Sequence, residues 1–71
     1  MNEFDEITRK IRFNQHRLQK INVISRMLYS ELKKFKIGEN NREVYENKWL
    51  RSLKIKHKLY DKLTQLFQLI D

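Results

Sequence analysis

Residues 4–35 read FDEITRKIRFNQHRLQKINVISRMLYSELKKF, and stepping through them alternately by three and four gives Phe4, Ile7, Ile11, Asn14, Leu18, Ile21, Ser25, Leu28, Leu32 and Phe35. Eight of these ten positions are apolar. A repeat averaging about 3.5 residues keeps returning the side chain to one side of a helical cylinder, the pattern of a helix lying along another helix. The stretch therefore predicts one long helix with a neighbour along most of its length.

The flanking residues set expected bounds. Asn2 can cap the helix, with Asp5 three residues on, and Glu3, Asp5 and Glu6 place negative charge where the helix dipole is positive. The only glycine is Gly38 and there is no proline, so the chain has one strong break. Gly38 suits the left-handed residue that follows a helix, and Lys33, Lys34 and Lys36 would sit in the last turn. The expectation is a first helix over about 3–37, a turn over 38–41 with Asn40 and Glu43 as a capping box, and a second helix over about 41–70. So short a turn makes the helices antiparallel neighbours. The fold class is all-α, and residues 1–71 form a single helical-hairpin domain.

The second helix carries its own seam, Trp49, Leu53, Lys56, Tyr60, Leu63, Phe67 and Ile70, with Leu59 and Leu66 widening that face. Folding about Gly38 pairs Leu28 with Trp49, Ser25 with Leu53, Leu18 with Tyr60, Ile11 with Phe67 and Ile7 with Ile70. One hairpin buries only one side of each helix, yet apolar residues lie beside both seams. A protein interface is expected at Phe13, Ile24, Met27, Ile55, Leu66 and Leu69, because exposed apolar surface of this kind marks a contact. The simplest occupant is a second copy, giving a homodimeric antiparallel four-helix bundle, or else another helical protein. Asn14, Ser25 and Lys56 interrupt the seams. They are expected at the edge of the contact, reaching water; the sharper alternative is a buried Asn14 that fixes the register.

Sixteen Lys and Arg stand against nine Asp and Glu, a formal net charge of +7 that favours acidic partners in general. Arg9, Arg12, Arg26 and Lys33 are expected on one outward stripe of the first helix together with His16 and Gln19, where they could follow phosphates of a nucleic acid. The same stripe is also what a solvated basic back of an amphipathic helix looks like. There is no Cys, which excludes a disulfide framework, a thiolate metal site and a Cys nucleophile. His16 and His57 fall more than a turn out of step in the folded hairpin, and no carboxylates converge on either. No phosphate-cradling glycine loop or nucleophile motif is present. The expectation is a non-catalytic interaction or regulatory protein with no metal, no cofactor and no small-molecule substrate. The acidic start and the lack of a long apolar run predict neither a secretory signal nor a membrane span, and a cytoplasmic location.

Arg9 and Arg26 are seventeen residues apart on one helix, and Leu63-Thr64-Gln65-Leu66-Phe67-Gln68-Leu69-Ile70 looks like a late helix of the helical chorismate mutases. The resemblance implies a truncated enzyme of that kind. It departs from the family in that alignment on the seam puts Thr8 and Ser25 at the Arg positions, and the chain ends at Asp71 before the family's last substrate-binding Ser and Gln. In outline the chain also resembles a plasmid-encoded hairpin dimer that binds paired RNA loops, and the small hairpin co-chaperones of type III secretion needle subunits. Lys58-Leu59-Tyr60-Asp61-Lys62 is similar to a segment of nucleoid-modulating partners of a histone-like silencer. These resemblances imply RNA-binding or protein-binding roles.

Overall fold

The computed structural model describes residues 2–70. It consists of two helices, α1 over Glu3–Lys33 and α2 over Asn40–Gln68, packed against each other in a rod of 53 × 15 × 15 Å. At the start of α1 the Asn2 side chain accepts the Asp5 backbone N–H at 2.8 Å, and Glu3, Asp5 and Glu6 occupy the first turn. The N-terminal signal in the sequence thus operates as chemistry suggests. Among the described residues, no helix is long and apolar enough to cross a membrane.

The connection differs from the expectation. Helix α1 ends at Lys33, four residues before Ile37, and its last turn tightens through Lys34 N–H to Glu31 O and Phe35 N–H to Leu32 O. The cause lies in α2. Arg42 reaches back so that Nη1 donates to Phe35 O at 2.7 Å and to Leu32 O at 3.3 Å. The guanidinium therefore satisfies carbonyls that a helix end leaves without partners. Phe35, released from the helical path, stacks on Tyr45 with ring centroids 5.3 Å apart. Gly38 is accordingly not the residue that follows α1. It sits within the six-residue connection with φ +95°, a left-handed conformation suited to glycine.

The second capping box does not form either. Helix α2 is capped by Glu39, whose carboxylate makes no cap hydrogen bond and instead accepts the Lys36 N–H at 3.2 Å. The acid that closes the loop is one residue earlier than the Asn40 cap the sequence suggested.

The hairpin register agrees with the fold about Gly38 to within one residue, but α2 is rotated. Ser25 faces Ser52, not Leu53, and Tyr29 packs on Trp49 with centroids 5.5 Å apart. Ile11 joins Leu63 and Leu66, with Ile7 and Leu18 packed alongside. The buried line of α2 is thus Ser52, Leu59, Leu63 and Leu66, whereas Tyr60, Phe67 and Ile70 are exposed. Two adjacent apolar pairs, Leu59–Tyr60 and Leu66–Phe67, left the choice of seam open. Leucine fills the narrow space between two helices, and the tyrosine keeps its hydroxyl in water.

Asn14 and Ser25 are not at a wetted edge. Asn14 is 2% exposed, its Nδ2 donates to Lys10 O at 2.8 Å, and its Oδ1 is buried without a hydrogen-bond partner. The Ser52 hydroxyl donates to Trp49 O at 2.6 Å, and its oxygen lies 3.3 Å from Ser25 Oγ across the hairpin. Lys56 alone of the three stays partly exposed. Polar atoms therefore occupy three positions in a core whose buried apolar side chains are Ile11, Leu32, Leu59, Leu63 and Leu66.

Candidate protein-interaction face

That small core leaves most large apolar side chains outside. Phe13, Met27 and Leu69 are 62%, 63% and 65% exposed, and Ile24 and Ile55 are exposed as well. Leu66 belongs to a different category: at 8% exposure it closes the hairpin against Ile11, so its apolar surface is already used. Five of the six residues expected at an interface are free to meet a partner, and the sixth forms the floor beneath two of them.

The fold brings these five together. A groove of about 400 Å³ runs between the helices with Phe13 on one wall and Leu69 on the other, floored by Asn14 and Leu66. Farther along, a smaller hollow of about 170 Å³ has Ile24 and Ile55 on its walls and Ile21 and Leu59 beneath. Met27 is three residues beyond Ile24 and fourteen beyond Phe13, so the helical repeat keeps it on the same side. From Phe13 to Met27 the face extends for about 21 Å along α1.

Cations frame this face. Lys10 and Lys62 line the larger groove, and Arg17 and Lys20 line the smaller one. The Arg17 guanidinium carbon lies 5.7 Å from the centroid of the Phe13 ring, one turn away, which holds the ring and the charge side by side. Sequence reasoning missed Lys10, Arg17 and Lys20. The signal was present in two seven-residue series, Lys10-Arg17-Ile24 and Phe13-Lys20-Met27, which mix cations and apolar residues on one side of the helix.

The residues considered for nucleic acid lie elsewhere. Arg12, Arg26 and Lys33 recur at multiples of seven on another side of α1, and all are exposed. Arg9 stands apart from them, lining a hollow with Glu6, Lys10 and Phe13. Lys33 Nζ lies 4.5 Å from the Tyr29 ring centroid. None of the four makes an ion pair among the described residues, where the pairs are Lys10–Glu6, Lys34–Glu31, Arg42–Glu46 and His57–Asp61. No group of three or more His, Asp or Glu among the described residues is placed to hold a metal ion.

The site defines the class of protein no further than a two-helix hairpin with a cation-framed apolar face. No family model, curated protein or solved structure matches the chain.

Proposed function

We propose that this chain is a non-catalytic interaction module that works by docking a helical protein partner onto the face formed by Phe13, Ile24, Met27, Ile55 and Leu69. The observation that carries the reading is the convergence of these five exposed apolar side chains on one side of a hairpin whose own core is only five apolar residues. Two helices present two broad sides and bury a single strip between them. Covering one side with a further helix or hairpin would complete a three- or four-helix bundle.

The test pairs the mass of the purified chain from light scattering with selection of a library of displayed amphipathic helical peptides against the immobilised chain. The expected result is self-association, or enrichment of peptides that bind the parent chain, lost in either case when Ile24→Glu and Met27→Glu are combined. Both residues are exposed, so circular dichroism should show the helices retained. A monomer that enriches no peptide, or peptides indifferent to the double substitution, would refute the reading.

A second reading, binding of nucleic acid by Arg9, Arg12, Arg26 and Lys33, is supported by the exposure of these four cations, none of which makes an ion pair among the described residues. Neutralising each should reduce the slope of log affinity against log salt by about one. Absence of any mobility shift with duplex or single-stranded probes at low salt would rule it out.

A further inference from the structure

Two hollows of the apolar face are lined by charge of a single sign, and Glu6 lies outside them, in the hollow it shares with Arg9, Lys10 and Phe13. The walls of its two hollows carry Lys10, Lys62, Arg17 and Lys20 and no carboxylate. The nearest acid paired with any of them is Glu6, whose Oε1 is 3.8 Å from Lys10 Nζ in a largely exposed i,i+4 pair that screens the lysine little. A second copy related by a two-fold axis would set this face against itself and bring the same cations together across the contact, because such an interface is self-complementary. Closing it would remove water from between like charges, which disfavours that pairing.

We propose, resting on the reading of this face as a docking surface, that its partner is a different protein presenting an amphipathic helix with an apolar ridge flanked by Asp and Glu. The geometry also specifies the spacing of the ridge. The hollow at Phe13 and Leu69 and the hollow at Ile24 and Ile55 are eleven residues apart along α1, which is about 16 Å. A helix lying along the groove therefore places two apolar anchors about eleven residues apart. The bulkier anchor enters the larger hollow of about 400 Å³ and the smaller enters the one of about 170 Å³. Acidic residues one turn to either side of each anchor meet Lys10 and Lys62 at one hollow and Arg17 and Lys20 at the other. Two separate hollows in line suit protruding side chains of a helix better than the surface of an anionic bilayer. Their floors, Leu66 beside Asn14 in one and Ile21 and Leu59 in the other, are mainly apolar and suit inserted apolar side chains better than a phosphate backbone.

The test uses two synthetic helical peptides of about 18 residues, about 27 Å when helical. Both carry the same pair of apolar anchors, one having Glu and the other Lys at every flanking position. Binding to the full chain is followed by fluorescence anisotropy of a labelled peptide. The Glu peptide should bind roughly tenfold or more tightly than its Lys twin at low salt, and high salt should erase most of that advantage. Combining Arg17→Glu with Lys20→Glu leaves two cations against two carboxylates on the hollows and should abolish most of the preference, while circular dichroism shows the hairpin intact. Ile24→Glu with Met27→Glu should abolish binding of both peptides. Equal binding of the two peptides would overturn the acidic partner and leave the docking face standing. So would a dimeric mass that Ile24→Glu with Met27→Glu reduces to a monomer, since a second copy would then be the occupant. Tight binding to phosphatidylserine vesicles that displaces the Glu peptide would assign the face to a membrane and overturn both proposals. A monomer that binds neither peptide would also overturn both.

Discussion

Arg42→Met should lower the melting temperature of the hairpin by roughly 10 °C, more than any other exposed or half-buried single charge. The substitution keeps an unbranched stem in place of a side chain that is 24% exposed, and removes the guanidinium, which donates to Phe35 O and Leu32 O while its Nε pairs with Glu46 at 3.0 Å. A hydrogen bond from a charged donor contributes about 1.5–3 kcal/mol. The contact to Leu32 O is long, and water can reach part of the vacated site, so the two carbonyl bonds together are assigned about 2 kcal/mol. In a domain of this size each kcal/mol shifts the midpoint by about 4–8 °C.

Two companion substitutions separate the contributions. Glu46→Gln removes the ion pair and leaves both carbonyl bonds, so it should cost about 0.5 kcal/mol or less. Arg42→Lys supplies one compact ammonium where a planar fork spans two carbonyls and a carboxylate, and should recover less than half of the loss. Thermal unfolding followed by far-ultraviolet circular dichroism measures all three. An Arg42→Met midpoint within about 2 °C of the parent would refute the assignment of the α1 terminus to this side chain. So would a Glu46→Gln loss as large as that of Arg42→Met, since the ion pair would then hold the connection.

Three further substitutions address the core and the turn. Asn14→Leu removes a buried oxygen that has no partner and should raise stability by about 1–2 kcal/mol in urea unfolding; a loss of stability would mean that the amide makes an interaction beyond its bond to Lys10 O. Gly38→Ala places a Cβ in open space but at φ +95°, so its cost of about 1–2 kcal/mol is purely conformational, and Gly38→Asn should cost less. Leu63→Ala, at the centre of the cluster with Ile11 and Leu66, should cost about 2–5 kcal/mol, enough to remove most helical circular dichroism at room temperature.

The first helix was legible because its seam runs unbroken in period, with the extra apolar residues Phe13, Ile24 and Met27 falling to one side of it. Ile7, Ile11, Leu18, Ile21, Leu28 and Leu32 all turn inward as their spacing requires, and only Phe4 at the open end stays out. The second helix was legible in period and register but not in rotation, because its apolar residues come in adjacent pairs and periodicity alone weights Leu59 and Tyr60 alike. Shape decided between them, and shape is a property of the pair of helices. The end of α1 was illegible for a related reason. The residue that terminates it, Arg42, is nine positions downstream of Lys33 and on the other helix, beyond the reach of any capping rule for local sequence. At the candidate face, Phe13, Ile24, Met27, Ile55 and Leu69 could be picked out as residues left over from the seams. That they converge, and that four cations frame them, depended on the rotation of α2.

The polar core and the uncovered face bear on each other. Asn14, Ser25 and Ser52 hold positions that apolar side chains would stabilise more, and the face outside them leaves apolar area in water. Under the proposed function a partner would add to the stability of such a hairpin, since any ligand bound only by the folded form adds RT ln(1 + [L]/Kd), about 2.7 kcal/mol at a hundredfold excess over Kd. That is comparable to the loss assigned to Arg42→Met. Under the proposed function, a saturating Glu-flanked peptide should therefore return the Arg42→Met midpoint close to that of the unliganded parent. The peptide should leave Ile24→Glu with Met27→Glu unmoved. If it raised the melting temperature of both variants equally, its stabilising contact would lie off the face, and the coupling between partner and fold drawn from these residues would be wrong.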